Sequence, residues 1–164
     1  MKLLNAAVLA ATVALSSHAL AHGDGHAKKE ASRPISTEEK PFGREGDPKK
    51  ATRTIKVDMN DTMRFNPSQM TVKQGETVKF EVKNSGKVMH EFVLGTMKDL
   101  KEHAELMRKH PGMEHDEPYM AHVAPGKTQT IVWTFTKAGE FNYGCLVAGH
   151  FEAGMLGKLT VATK

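Results

Sequence analysis

The chain has 164 residues, 39% of them hydrophobic and 6% aromatic, a length that suits one domain with a tail. Its 23 basic and 19 acidic residues give a mixed net charge of +4, without the concentrated basic patch a nucleic-acid binder needs. The single Cys excludes an internal disulfide and any four-thiolate zinc or iron–sulfur site, whereas 9 His and 10 Met point to a soft metal.

At the start, Met1-Lys2 is short and positive, Leu3 to Leu15 is a nearly unbroken apolar run, and Ala19-Leu20-Ala21 has the small-x-small pattern a signal peptidase accepts. The run is shorter than the roughly 20 residues that span a bilayer. Residues 1–21 are therefore expected to be a cleaved signal peptide, which places the mature chain in a bacterial periplasm with no membrane attachment. A leftover thiol in an oxidising compartment needs protection, and a bound metal is one form of it.

Residues 22–52 are rich in charge, Pro and Gly and have little to bury, so they are expected to form a flexible, His-containing arm. From Arg53 the pattern changes to short alternating runs separated by turn residues. Strands are expected at Arg53 to Met59, Met70 to Lys73, Thr77 to Val82, His90 to Leu94, Thr128 to Thr136, Glu140 to Cys145 and Leu156 to Val161. About seven short strands with frequent turns indicate an all-β sandwich over 53–164. One insertion, over 97–119, breaks the pattern: Leu100, Ala104 and Met107 have helical spacing between Lys98 and His110, and Pro111-Gly112 ends the helix.

The chemistry concentrates in Gly144-Cys145-Leu-Val-Ala-Gly149-His150-Phe-Glu-Ala-Gly154-Met155. A thiolate, an imidazole and a thioether follow one another with four residues in each gap. Glycine in both gaps lets the loop curl so that the three side chains converge. A second imidazole must come from elsewhere, and His90 at the start of an earlier strand is the natural source. Two His, one Cys and a weak axial Met form the type 1 copper set, a compromise between the preferences of Cu(I) and Cu(II). Taken singly, each of these residues is as well explained by packing; taken together, they are not.

These residues resemble a known family. The stretch Gly139 to Val161, with Cys145, His150 and Met155, is similar to the C-terminal half of cupredoxins such as azurin, plastocyanin and rusticyanin, and the ligand spacing is most like that of rusticyanin. Asn84 to Val93 resembles the family's first-histidine strand. The whole arrangement, with its His-containing arm and Met/His-rich insertion, looks most like the exported copper-tolerance cupredoxins of the CopI group. The resemblance implies a Greek-key sandwich with one reversible copper near one end, His90, Cys145 and His150 as strong ligands and Met155 as the weak axial one. Many cupredoxins carry Asn directly after the first His, where this chain has Glu91. That departure bears on the hydrogen bonds behind the ligands, and so on potential and colour.

Other copper classes are excluded by counting. A dinuclear purple centre needs two bridging cysteines, and a multicopper oxidase needs several His-x-His pairs. Further soft ligands remain. His103, Met107 and His110 can share a helix face, and Met113, His115, Met120 and His122 follow them. Met59, Met63 and Met70 cluster near the first strands, and His22 and His26 lie on the arm. These residues bind additional copper, or they pack the core and decorate a solvated tail; the sequence leaves both readings open. Functionally the expectation is a non-enzymatic copper-tolerance protein with copper ions as its ligand. The alternative is an electron carrier between a cytochrome and a terminal oxidase or nitrite reductase, with Leu146, Val147, Ala148 and Phe151 as a docking patch. Weak cuprous oxidase activity would need an open Cu(I) site close to the type 1 centre.

Overall fold

Alternation of apolar and polar residues along short runs lets each strand turn one face inward, and the expected runs do form strands. The computed structural model describes residues 33–113 and 115–164; the expected signal peptide, His22 and His26 lie outside the described residues. In chain order the elements are β1 (Arg44–Glu45), a single 3-10 turn (Pro48–Lys50), β2 (Arg53–Asn60), β3 (Arg64–Asn66), β4 (Gln69–Lys73) and β5 (Thr77–Asn84). Then come β6 (His90–Gly95), α1 (Met97–Lys109), β7 (Met120–Val123), β8 (Thr128–Thr134), β9 (Gly139–Gly144) and β10 (Leu156–Ala162).

Two five-stranded sheets result, ordered β1-β8-β5-β2-β3 and β4-β10-β9-β6-β7. β2 runs parallel to β5 and β4 parallel to β10, and the other pairs are antiparallel. Neighbours such as β8 and β5 are distant in sequence, as a Greek-key sandwich requires. The inner faces meet in an aromatic core in which Phe65, Phe80, Phe92 and Tyr143 touch one another at centroid distances of 5.1–5.9 Å. Gly157 has to lack a side chain, because a Cβ there would run into the Tyr143 ring.

The segment expected as a flexible arm is partly built into the sandwich. β1 pairs with β8 through Arg44↔Thr134 and Glu45↔Trp133. Phe42 is buried and stacks on Trp133 at 5.3 Å, and the Trp133 indole N–H donates to the Phe42 carbonyl. A short, highly charged segment is held here because one aromatic side chain carries it into the core; burying a Phe contributes about 1.5–3 kcal/mol.

α1 forms where the periodicity predicts. Thr96 caps it in a reciprocal box with Asp99, and Leu100, Ala104 and Met107 form its buried stripe. The stripe packs against Val93, Met120 and Leu146 in a second, smaller apolar cluster. Because strand side chains alternate, Phe92 and Leu94 of β6 face the main core while Val93 faces the helix.

Candidate metal centre

The ligand loop starts where β9 ends. Cys145 follows Gly144, and the chain turns through Gly149 and Gly154, both in the left-handed region (φ +87° and +89°), before β10 begins at Leu156. Backbone hydrogen bonds tie the loop to itself: His150 N–H donates to Val147 O, Met155 N–H to His150 O, and Cys145 N–H to Met155 O. These bonds bring both ends of the Cys145–Met155 loop together. β6, the neighbour of β9, brings His90 to the same end of the sandwich.

His90, Cys145 and His150 each offer one ligand atom, and these atoms lie within 4.8 Å of one another. Cys145 Sγ is 3.3 Å from His150 Nδ1 and 3.9 Å from His90 Nδ1. Two ligands of one ion at bond lengths of about 2.0–2.3 Å stand roughly 3.3–3.8 Å apart, so the spacing fits a shared metal. His90, Cys145 and Met155 are fully buried and His150 is half-buried. Two imidazoles and a thiolate are donors that copper takes in both oxidation states.

Groups behind these residues set their orientation and charge. Asp61 Oδ1 lies 3.2 Å from His90 Nε2, which leaves Nδ1 for the inward direction. The Lys87 N–H, then those of Val88 and the His90 ring, hold the Asp61 carboxyl below the ordinary carboxylate range. Asn84, fully buried, donates to the carbonyls of Val88 and Val123 and so pins the segment leading into His90. Burial pushes the Cys145 thiol up to about 12, against weaker opposing help from the N–H groups of Glu91 and Val147. Burial, and then the adjacent His90 ring, lower the His150 pKa. The unmetallated pocket therefore holds a neutral thiol, and a soft cation entering it displaces the thiol proton.

Residues 51–162 match the family model described as copper binding proteins, plastocyanin/azurin family. The chain belongs to this family. It is 50% identical over 159 residues to the copper-resistant cuproprotein CopI of Rubrivivax gelatinosus, covering 97% of this chain and 94% of that one. It is 36% identical to the protein of the same name in Pseudomonas aeruginosa, covering 73% of this chain and 82% of the relative. Among solved structures it resembles dithionite-reduced auracyanin of Roseiflexus castenholzii (TM-score 0.59, 23% identity, 68% of this chain and 98% of that one). Auracyanin A of Chloroflexus aurantiacus is similar (TM-score 0.56, 25% identity, 66% and 97% covered).

The cupredoxin's other soft residues separate into three groups. Met59, Met70, Met107 and Met120 are buried among apolar side chains, and Met63 packs partly against the main core, so packing accounts for their positions without a metal. His110 caps the end of α1 in solvent and Met113 is exposed, so the helix does not present His103, Met107 and His110 as one ligand face. His103, His115 and His122 do come together, with ring centroids 4.6 Å and 6.4 Å apart in succession.

Sequence reasoning missed Asp61 and the destination of the Glu91 side chain. The Glu91 N–H donates to Cys145 Sγ, a bond that does not depend on side-chain identity, while its carboxylate lies 3.1 Å from His122 Nδ1. Their register could have been found only through strand pairing, since Glu91 and His122 are direct partners on β6 and β7. Of the residues expected on a docking patch, Leu146 is fully buried against the helix cluster, Val147 and Phe151 are half-buried and Ala148 is exposed; Val88 and Met89, beside His90, are large apolar residues that are exposed.

Proposed function

We propose that this cupredoxin is a periplasmic copper-tolerance protein that holds one redox-active copper through His90, Cys145 and His150, with Met155 as the weak axial ligand, and that it acts as a binder and electron carrier, not as an enzyme. The observation that carries this reading is the buried His–Cys–His triangle, whose Sγ stands 3.3 Å and 3.9 Å from two imidazole nitrogens. Bound copper supplies a reversible one-electron couple and a thiolate charge-transfer band. Asp61 keeps His90 Nε2 engaged, and the Glu91 N–H lies against the Cys145 sulfur, so a change in copper charge meets fixed dipoles. His90 sits in a paired strand, Cys145 and Met155 adjoin the ends of β9 and β10, and the Cys145 N–H bond to Met155 O ties those ends together, which limits rearrangement when an electron arrives. His150, half-buried where the others are covered, is the edge through which an electron passes to a redox partner such as a cytochrome or a copper oxidase.

Two lines support tolerance as the role: the relative named copper-resistant in Rubrivivax gelatinosus matches 97% of the chain, and the amino-terminal sequence has the form of an export signal. Among the described residues no helix is long and apolar enough to cross a membrane. The exposed Val88 and Met89 favour a second reading, a soluble carrier that docks through this end.

The site is tested by titrating purified protein with Cu(II) while recording optical and EPR spectra. An intense thiolate-to-copper band that disappears in Cys145→Ala is expected, and no band in the wild type refutes the ligand assignment. The role is tested by growth at rising copper in a strain lacking the protein. Wild type restores tolerance and Cys145→Ala does not; a strain whose tolerance never depended on the protein leaves the carrier reading in its place.

A further inference from the structure

Outside the His–Cys–His pocket, imidazoles converge at one other place among the described residues. Alternation along β6 sends Glu91 to the face of the sheet away from the main core, the same face as Val93. α1 covers that face and brings His103, which is half-buried. β7 brings His122 opposite Glu91, and the loop between α1 and β7 brings His115. Helix, loop and two strands thus contribute one side chain each to a row of neighbours, His103 beside His115, His115 beside His122 and His122 beside Glu91. Among the described residues only His90, Cys145 and His150 already bring three ligand atoms within 4.8 Å of one another, so an ion here would draw the His115 loop inward.

We propose that His103, His115, His122 and Glu91 form a second metal site, separate from the type 1 centre and selective for a divalent ion of borderline hardness, with Cu(II) as the ion taken in this protein. The donor set is three imidazoles and a carboxylate, without thiolate or thioether, and such sets suit Cu(II) and Zn(II); at equal geometry Cu(II) binds more tightly. The buried methionines near α1 take no part. This separates the site from a Cu(I) store, which would be built from thioethers.

Three observations point to a ligand. First, His115 Nδ1 is buried and has no hydrogen-bonding partner, the one such side-chain nitrogen or oxygen among the described residues. A buried nitrogen left without a partner is costly unless something outside the chain engages it. Second, His122 Nδ1 and Glu91 Oε1 are 3.1 Å apart. That is also about the separation of two ligands sharing an ion at bond lengths of roughly 2.0–2.1 Å. The ion would replace the proton between them, and that proton would leave to solvent. Third, the His103–His115 and His115–His122 centroids, 4.6 Å and 6.4 Å apart, bracket the roughly 5 Å expected of imidazoles around one four-coordinate ion. His115 is carried by a connecting loop, so it can close the longer gap without disturbing a sheet. The His115 carbonyl already accepts from His122 Nε2, which orients that ring with Nδ1 toward Glu91.

The proposal does not depend on the type 1 assignment, and its test separates the two. Full-length protein is titrated with Cu(II), using the thiolate band to count the first site and EPR to detect a second signal with the wide hyperfine splitting of copper lacking thiolate. Wild type is expected to take a second Cu(II) after the thiolate band has saturated. In His103→Ala/His115→Ala the thiolate band keeps its full intensity, which shows the fold intact, and affinity for the second ion falls at least about 100-fold. Even changes one shell out cost about 10–100-fold, so loss of two ligands should reach that limit. His22→Ala/His26→Ala retains the second signal. A wild-type protein that saturates at one copper overturns the proposal. So does a second signal that survives loss of His103 and His115 but disappears with His22 and His26.

Discussion

Removing the His122–Glu91 pair should erase a definite part of the protein's dependence on pH. The Glu91 carboxylate raises the His122 pKa to about 9 from an ordinary 6.5, chiefly by hydrogen bonding and then by charge, against the opposing effect of burial. The raised group is a base that binds its proton more tightly in the folded state, so its stabilisation is complete below pH 6.5 and is lost as pH climbs to about 9. A shift of that size corresponds to about 3 kcal/mol at 1.36 kcal/mol per pH unit. The His122 side chain is 30% exposed, and solvent screening reduces the expected effect to about 2 kcal/mol. The assay is urea unfolding of metal-free protein at pH 6 and pH 9.5, wild type against His122→Gln. Comparing the two proteins at each pH cancels groups common to both, including the buried thiol. His122→Gln should cost about 2 kcal/mol more at pH 6 than at pH 9.5. An equal cost at both pH values would refute the argument, because it would mean that the 3.1 Å contact holds no proton beyond the ordinary range.

Three further outcomes follow from the same structure. Copper uptake in weakly buffered solution at pH 7 should release about one proton per thiolate-bound ion, because burial holds the Cys145 thiol neutral up to about 12; a pH-stat measures it, and uptake without release would mean the thiolate is already formed. Asp61→Asn should lower affinity at the thiolate site about 10–100-fold while leaving the fold intact, since it weakens the group that orients His90 Nε2; competition with a copper chelator gives the value. Phe42→Ala should destabilise the protein by about 3 kcal/mol or more and shift Trp133 fluorescence, because the stacked ring leaves a cavity in the core. An unchanged unfolding midpoint would return residues around Phe42 to the status of a loose arm.

The division between what was readable in advance and what was not follows the range of the interactions. The alternating runs, the stripe of Leu100, Ala104 and Met107, and the Cys145, His150 and Met155 spacing are local patterns. Each states its own geometry within a dozen residues, because the backbone has few conformations and glycine marks the turns. His90 was within reach because a two-His copper set leaves one imidazole to be found and a strand start is a natural place for it. By itself, then, the sequence determined the sandwich, its helix and the candidate ligands His90, Cys145 and His150 that the fold brings within reach of one ion. Tertiary structure alone decided which donors stand beside one another. Asp61 meets His90 across 29 positions, Phe42 meets Trp133 across 91, and Glu91 faces His122 only because β6 and β7 pair in one register. The methionines show the same limit in reverse. Composition presents them as soft ligands, but a thioether is also a flexible apolar side chain, and a count of methionines does not distinguish the two uses. Met59, Met70, Met107 and Met120 lie in the core, as Met155 does, whereas His103, His115 and His122, candidates strung along the insertion and the strand after it, were brought side by side by a helix, a loop and a strand.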